Sequence, residues 1–466
     1  MNYVKTGKGI VDDEAVFELL QNRTADTAAV REVLSKAMEL KGLDLHDVPV
    51  LARISDPDLL GELFSTAKKV KEMIYGKRLV IFAPLYISNL CSNECLYCAF
   101  RARNKAVKRR ALTQEEIARE VINLVEQGHK RILLVAGEAY PKEGFSYILK
   151  SIETIYRTKS GPGEIRRLNA NIAPLAIEEF KQLKAAHIGT YQLFQETYHR
   201  ETYRKVHTGG KKADYDWRIT AMDRAMEATI DDVGIGVLFG LFDWRFEILA
   251  LMQHIRHLEK RFGVGCHTIS VPRLEPASGS YVAEHPPYPV SDVDFRKIVA
   301  ILRLAVPYTG IIMSTRETPE MRRETFALGV SQISAGSRTN PGGYSKDEDA
   351  FESSQFSLGD HRPLDEVLRD VAELGYIPSF CTACYRLGRT GRDFMDLAKP
   401  GEIKNHCDPN ALSTFEEFLL DYATPETRRL GEETIEKTLA AMDDVQAKRS
   451  RTLLTKIKSG KRDVFC

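Results

Sequence analysis

No stretch of this 466-residue chain approaches the ~20 consecutive apolar residues of a membrane-spanning helix. The opening MNYVKTGKGIVDDEAVFELL has no apolar signal-peptide core and no small-residue cleavage site. Charge of either sign is missing in excess: Lys plus Arg is 66 and Asp plus Glu is 65, so nothing global argues for nucleic acid or an anionic membrane. Internal repeats and low-complexity tracts are absent. These absences lead to the expectation of a cytoplasmic protein with no nucleic-acid and no membrane partner. Cysteine is also sparse, eight in all, yet six fall into two groups: 91, 95, 98 and 381, 384, 407. Without a secretion signal, grouped cysteines more often bind metal or do redox chemistry than form disulfides.

Residues 12–75 space their apolar positions at three and four, which predicts helices. Beyond them, short apolar runs alternate with amphipathic stretches. The runs are 78–89, 131–139, 164–173, 190–197, 232–241, 267–274, 309–317 and 330–336. Strand–helix alternation repeated about eight times predicts an α/β fold, a (β/α)8 TIM-type barrel, although a doubly wound open sheet would alternate in the same way. Thr113 with Glu115 and Glu116, and Pro319, are proper helix starts. Residues 340–362 are a polar, turn-rich connection. The expected organisation is an N-terminal helical extension over 1–76, the barrel over 77–339, and a mainly helical C-terminal domain over 340–466. The basic stretch Lys448 to Arg462 reads as a solvated helix end.

CSNECLYC follows the first barrel strand, at the C-terminal mouth where barrel enzymes place their chemistry. Soft iron prefers thiolate. Three cysteines with no fourth nearby leave one iron of a cubane open, and an open position marks a catalytic metal rather than a structural one. A zinc knuckle is the competing reading, but residues 86–128 contain no histidine.

The spacing C-x3-C-x2-C over Cys91, Cys95 and Cys98, with Tyr97 before the last cysteine, resembles the radical S-adenosylmethionine (SAM) superfamily. The resemblance implies a [4Fe-4S] cluster on these three thiols that chelates and cleaves S-adenosyl-L-methionine. It further implies that Gly137 and Glu138, in Ala136-Gly137-Glu138, grip the methionine amine, although the first glycine of the family's Gly-Gly-Glu is missing here. Asn169 and Asn171 end the third strand and are candidates to touch cofactor or substrate. Glu196 would hold the ribose hydroxyls, Arg218 the methionine carboxylate, and Gly234 and Gly236 the adenine. The run GIGVLFG also looks like a dinucleotide fingerprint, but its glycines sit inside the strand instead of the turn after it.

Cys381, Cys384 and Cys407 form C-x2-C-x22-C. A zinc site completed by His406 or His361 is open on spacing alone. QETY (195–198), VHTGGKKADY (206–215), STRE (314–317) and SAGSRTNPGGY (334–344) resemble the tyrosine lyases of [FeFe]-hydrogenase maturation, whose thiamine-pathway relatives lack the C-terminal cysteines. That resemblance covers essentially the whole chain. It implies a second, auxiliary [4Fe-4S] cluster with an extra iron ligated by His267. His267 opens strand six, at the N-terminal mouth. A strand of roughly eight residues at about 3.3 Å each separates the two sites by on the order of 25 Å. Cys266 reads as a buried apolar residue and Cys466 as incidental.

The resemblance implies cleavage of L-tyrosine to p-cresol and dehydroglycine, then release of carbon monoxide and cyanide into an Fe(CO)2(CN)(cysteine) unit built with free L-cysteine. It also implies other hydrogenase maturases as partners and a flavodoxin or ferredoxin as reductant. Arg316 at the end of strand seven is the candidate cation for the tyrosine carboxylate, with Arg273 as the alternative. Two other readings compete. One is a thiamine-type lyase that stops at dehydroglycine. The other is a non-catalytic iron–sulfur carrier.

Overall fold

The computed structural model describes residues 9–21, 25–345 and 354–466. Residues 346–353 of the expected polar connection lie outside the described residues. Eight parallel strands form a closed barrel: β1 (Arg78–Ser88), β2 (Arg131–Ala136), β3 (Arg167–Asn171), β4 (Tyr191–Glu196), β5 (Val233–Val237), β6 (Thr268–Ser270), β7 (Gly310–Met313) and β8 (Gln332–Ser334). Closure is direct, because β8 returns to β1 with Val80 opposite Gln332 and Phe82 opposite Ser334. This resolves the open-sheet alternative: an open sheet would leave β1 and β8 as edges. Strands such as β2 (RILLVA) and β7 (GIIM) are nearly continuous in apolar residues because helices cover their outer faces, whereas β3 (RLNAN) alternates.

The helices start where local chemistry dictates. Thr113 and Glu116 form a reciprocal capping box at Gln114–Glu126, and Thr318 caps Pro319–Leu328, which has proline in its first turn. Helix Trp244–Phe262 ends at Gly263, whose φ of 76° is left-handed backbone that glycine adopts without strain. Helix Pro57–Tyr75 packs its Leu59, Leu63, Ala67 and Val70 face against the barrel helices Asp292–Ala305 and Pro319–Leu328.

The region beyond 340 is mainly helical, as expected, but it is joined to the barrel at both mouths. A ninth strand, β9 (Ile377–Ser379), pairs in parallel with Arg78–Val80 at the base of β1, below the point where β2 takes over at Ala83. At the other end Gln355 and Phe356 lie against the barrel mouth. Among the described residues no helix is long and apolar enough to cross a membrane.

Candidate functional site

A cavity of about 190 Å³ opens at the C-terminal mouth. A single water needs roughly 10–15 Å³ by the same kind of measure, so this space suits a cofactor and not an isolated solvent molecule. Cys91, Cys95 and Cys98 line it together with Tyr97, Gly137, Glu138, Asn171, Glu196, Arg218 and Arg316.

The cysteine loop is held by backbone bonds across the barrel mouth. Glu94 N–H donates to Gly209 O at 2.9 Å, Leu96 N–H to Val206 O at 2.9 Å, and Ala102 N–H to Asn93 O at 2.8 Å. Gly137 permits a close approach: a Cβ there would stand 2.2 Å from Leu90 O, one residue before Cys91. Tyr97 is pinned by its hydroxyl, 2.8 Å from His207 Nε2. His207 Nδ1 faces the Tyr203 carbonyl at 2.9 Å, so Nδ1 carries the proton and Nε2 accepts from Tyr97. Burial pushes the His207 pKa well down, which keeps the ring neutral.

Burial also raises the pKa of all three thiols. Thiolates in so apolar a pocket require a cationic partner, and cluster iron meets that requirement. The donor set therefore fits the group that the family implies.

The same cavity holds a network of four charges, of which Arg218, Lys212 and Glu196 are buried and Glu138 is half-buried. Arg218 Nη1 donates to Glu138 Oε1 at 2.9 Å, its Nε to Phe194 O at 2.8 Å, and its Nη2 lies 3.7 Å from Glu196. Lys212 Nζ donates to Glu196 Oε1 at 2.7 Å, and Asn93 Nδ2 to Glu138 Oε2 at 2.7 Å. Burial pushes the Glu138 carboxyl pKa up, but Arg218 and Lys212 outweigh it and hold it below the usual carboxylate value. Glu196 has a left-handed φ of 71°, a conformation that costs a non-glycine residue of order 1–3 kcal/mol and that aims its carboxylate into the network. Lys212 and Asn93 were missed from sequence, although Lys212 lies within the VHTGGKKADY motif. Nothing in one sequence distinguishes it from Lys211 beside it.

Several expected contacts are corrected. Asn169 does not reach the cavity, for its Oδ1 accepts from Thr190 N–H at 3.0 Å and bridges β3 to β4. Gly234 and Gly236 do not line the cavity either. A Cβ on Gly234 would stand 2.4 Å from Thr268 Oγ1, and one on Gly236 2.8 Å from Phe194 Cδ1. Their role is to make room for Gln192, Phe194 and Ser270, which do line it. Arg273 is already committed: its Nε donates to Glu317 at 3.0 Å and its Nη1 to Asp292 at 2.7 Å. Arg316 instead faces the cavity, its guanidinium 3.3 Å from the centre of the Phe356 ring. Glu275 shares that wall, and burial together with Glu317 pushes its pKa up to about 7.

A second cavity, about 60 Å³, lies at the opposite mouth. Cys381, Cys384, Cys407 and His267 line it with Arg78, Arg131 and Asp232. His267 Nδ1 is buried without a hydrogen-bond partner, 3.5 Å from Asp232. Burial pushes the His267 pKa down, which suits a neutral ring that ligates metal. Neither His361 nor His406 lines this space. Cys381, Cys384, Cys407 and His267 therefore share one cavity as possible metal ligands. Cys266 is fully buried, as expected. Cys466 is docked, its N–H donating to Asn410 Oδ1 at 2.8 Å.

Residues 85–252 match the radical SAM superfamily and residues 270–377 the biotin and thiamin synthesis associated domain. The chain is 32% identical to the 2-iminoacetate synthase of Escherichia coli over 77% of its own length and 92% of that protein. It superposes on a crystal structure of HydG, a maturase of the [FeFe]-hydrogenase, with a TM-score of 0.94 at 49% identity, covering 98% of this chain and 100% of the other. The HydG of Carboxydothermus hydrogenoformans gives 0.83 at 41% identity, covering 95% and 97%.

Proposed function

The chain belongs to the radical SAM superfamily, in the branch that holds 2-iminoacetate synthase and the hydrogenase maturase HydG, and we propose that it is a tyrosine lyase that supplies carbon monoxide and cyanide for hydrogenase maturation. In this reading L-tyrosine is split at Cα–Cβ into p-cresol and dehydroglycine, and dehydroglycine is broken down for an iron unit assembled with L-cysteine. The observation that carries it is the presence of two thiol groups at opposite mouths of one barrel.

The interior between the two mouths is thin. On β1 the first cavity reaches Phe82 and the second Val80. The corresponding pairs are Leu133 and Arg131 on β2, Ile312 and Gly310 on β7, and Ser334 and Gln332 on β8. Each pair is one inward-facing step, about 7 Å along a strand. Gln192 Oε1 and Thr268 Oγ1 are buried in this region without hydrogen-bond partners, and Gly234 adds no side chain. Such an interior suits the passage of small polar fragments from one site to the other.

Cys91, Cys95 and Cys98 would hold a [4Fe-4S] cluster, which when bound supplies the electron that cleaves SAM to a 5′-deoxyadenosyl radical. Glu138, fixed by Arg218 and Asn93, presents a carboxylate to the methionine ammonium. Glu196, steadied by Lys212, accepts from the ribose hydroxyls. Arg316 binds the tyrosine carboxylate, its plane fixed by Phe356. Leu238, Leu274 and Phe100 wall the cavity and exclude water. Cys381, Cys384, Cys407 and His267 would hold the auxiliary cluster and the extra iron.

Anaerobic reconstitution followed by iron and sulfide analysis tests the two-cluster reading: about eight irons per chain are expected from the two clusters, and about nine when the extra iron is loaded. About four irons with bound zinc would instead indicate a lyase that stops at dehydroglycine. Formation of 5′-deoxyadenosine by the reduced protein would eliminate a non-catalytic carrier.

A further inference from the structure

The chain as a whole carries almost no net charge, but the twenty residues 95–114 hold six cations and no carboxylate. The cations are Arg101, Arg103, Lys105, Lys108, Arg109 and Arg110, and they begin three residues after Cys98. Three of them build the loop. Arg109 donates to the carbonyls of Asn89 and Phe100 at 3.0 Å each and of Asn104 at 3.2 Å. Arg101 Nη1 pairs with Glu94 at 2.9 Å, and Arg110 Nη2 with Glu116 at 2.7 Å. The other three, Arg103, Lys105 and Lys108, are exposed. The loop is therefore rigid at its root and charged at its surface.

It is also coupled to the cysteine segment. Arg101 N–H donates to Cys98 O at 3.2 Å and Arg103 N–H to Glu94 Oε2 at 2.9 Å. Beside it packs the segment 278–285, joined through Asn104 Nδ2 to Ser278 O at 2.8 Å and through Arg101 Nη2 to Gly279 O at 2.7 Å. That segment presents Tyr281, 74% exposed and stacked on His285. Its one carboxylate is the exposed Glu284. Exposed aromatic residues and arginines are enriched at protein interfaces.

We propose that the loop Arg101–Arg110, with Tyr281 at its edge, is the docking face for a small acidic one-electron carrier protein that reduces the cluster held by Cys91, Cys95 and Cys98. The inference rests on the reading of that site as a redox cluster. One electron passes from the reduced carrier, which is oxidised, to the cluster, which is reduced. No bond forms between the proteins. Charge complementarity accelerates encounter by 10- to 1000-fold and is screened by salt, as a turnover partner that must bind and leave requires.

The test uses the reconstituted protein and an acidic iron–sulfur ferredoxin as probe, with the variant Arg103→Glu, Lys105→Glu, Lys108→Glu. These side chains are exposed, and reduction by dithionite reports whether the variant keeps its fold and cluster. The control is Lys448→Glu on the helix Asp444–Lys458. The variant should weaken ferredoxin binding at least tenfold by calorimetry at low salt, and wild-type binding should weaken similarly as salt rises. Cluster reduction by ferredoxin, followed by electron paramagnetic resonance, should slow at least tenfold. Reduction by dithionite and the yield of 5′-deoxyadenosine with dithionite should not change, nor should any property of the control. Unchanged ferredoxin binding and reduction rate in the triple variant overturn the proposal, as does a matching loss with dithionite. Binding of RNA by the wild type in preference to ferredoxin overturns it as well. Because binding is read without tyrosine, failure of the lyase reading leaves this result standing on its own.

Discussion

Replacing Gly137 by alanine isolates the coupling between strand end and cysteine loop. The added Cβ would lie 2.2 Å from Leu90 O and 2.8 Å from Leu90 C, both backbone atoms. A carbon–oxygen contact relaxes only near roughly 3.3 Å, so the two chains must part by about 1 Å. Side-chain rotation cannot relieve this. The strand end is fixed by Gly137 N–H on Ser88 O at 2.9 Å and Ala139 N–H on Leu90 O at 3.1 Å. The displacement therefore passes to Cys91, the next residue. Overpacking of this size costs about 1–3 kcal/mol in stability, which a barrel of this length tolerates. A misplacement of about 1 Å at reacting groups costs on the order of 100-fold in rate. The Gly137→Ala protein should thus fold and show a near-normal melting temperature. After reconstitution it should retain the auxiliary iron but yield 5′-deoxyadenosine about 100-fold more slowly. Wild-type yield from Gly137→Ala would refute the reasoning that this close approach positions the cysteine loop.

Removing Arg218 as Arg218→Met leaves Glu138 and Glu196 with Lys212 alone, and breaking a buried pair costs about 3–5 kcal/mol. The melting temperature and SAM affinity by equilibrium dialysis should both fall, and an unchanged affinity would remove Arg218 from the SAM site. The double variant Cys381→Ser, Cys384→Ser should keep p-cresol formation and lose carbon monoxide release to a haem trap, with bound iron falling to about four per chain. Loss of p-cresol there would contradict the division of labour between the two mouths. Lys71 is wholly buried, and its Nζ has no hydrogen-bond partner and lies 4.4 Å from the Tyr376 ring centre. Burial, helped by Arg303, pushes its pKa down to about 7. Between that value and the ordinary lysine pKa of about 10.4 the unfolded chain holds the extra proton, so stability rises with pH across this window. Lys71→Met should raise the urea midpoint at pH 7 and flatten its rise between pH 7 and pH 10. A midpoint that drops would show the amine to be structurally required.

The barrel was legible because each strand is a short apolar run and each helix carries its own start signal, such as Thr113 with Glu116. The strand ends then brought Glu138, Asn171, Glu196 and Arg316 to the same mouth as Cys91, Cys95 and Cys98 without knowledge of tertiary contacts. Depth along a strand was not legible. Asn169 shares a face with Asn171 but lies one step lower, where it meets Thr190 instead of the cavity. Gly234 and Gly236 looked like ligand contacts because glycine leaves no side chain to read, and only their neighbours show that they make room. The pairing of β9 with the base of β1 was invisible in three residues that include Pro378. Arg273 and Arg316 are equivalent in sequence context. Glu317 and Asp292 on neighbouring elements separate them.

The central claim is that one chain both splits tyrosine and breaks its two-carbon fragment down to diatomic ligands. Anaerobic enzyme with both cysteine groups reconstituted, given SAM, a reductant and L-tyrosine labelled with carbon-13 at its carboxyl and α-carbons, is the direct test. Labelled carbon monoxide in a haem trap and labelled cyanide by derivatisation, both appearing with p-cresol, are the predicted result. p-Cresol accompanied by glyoxylate from hydrolysed dehydroglycine, with neither labelled gas nor cyanide, would contradict the account.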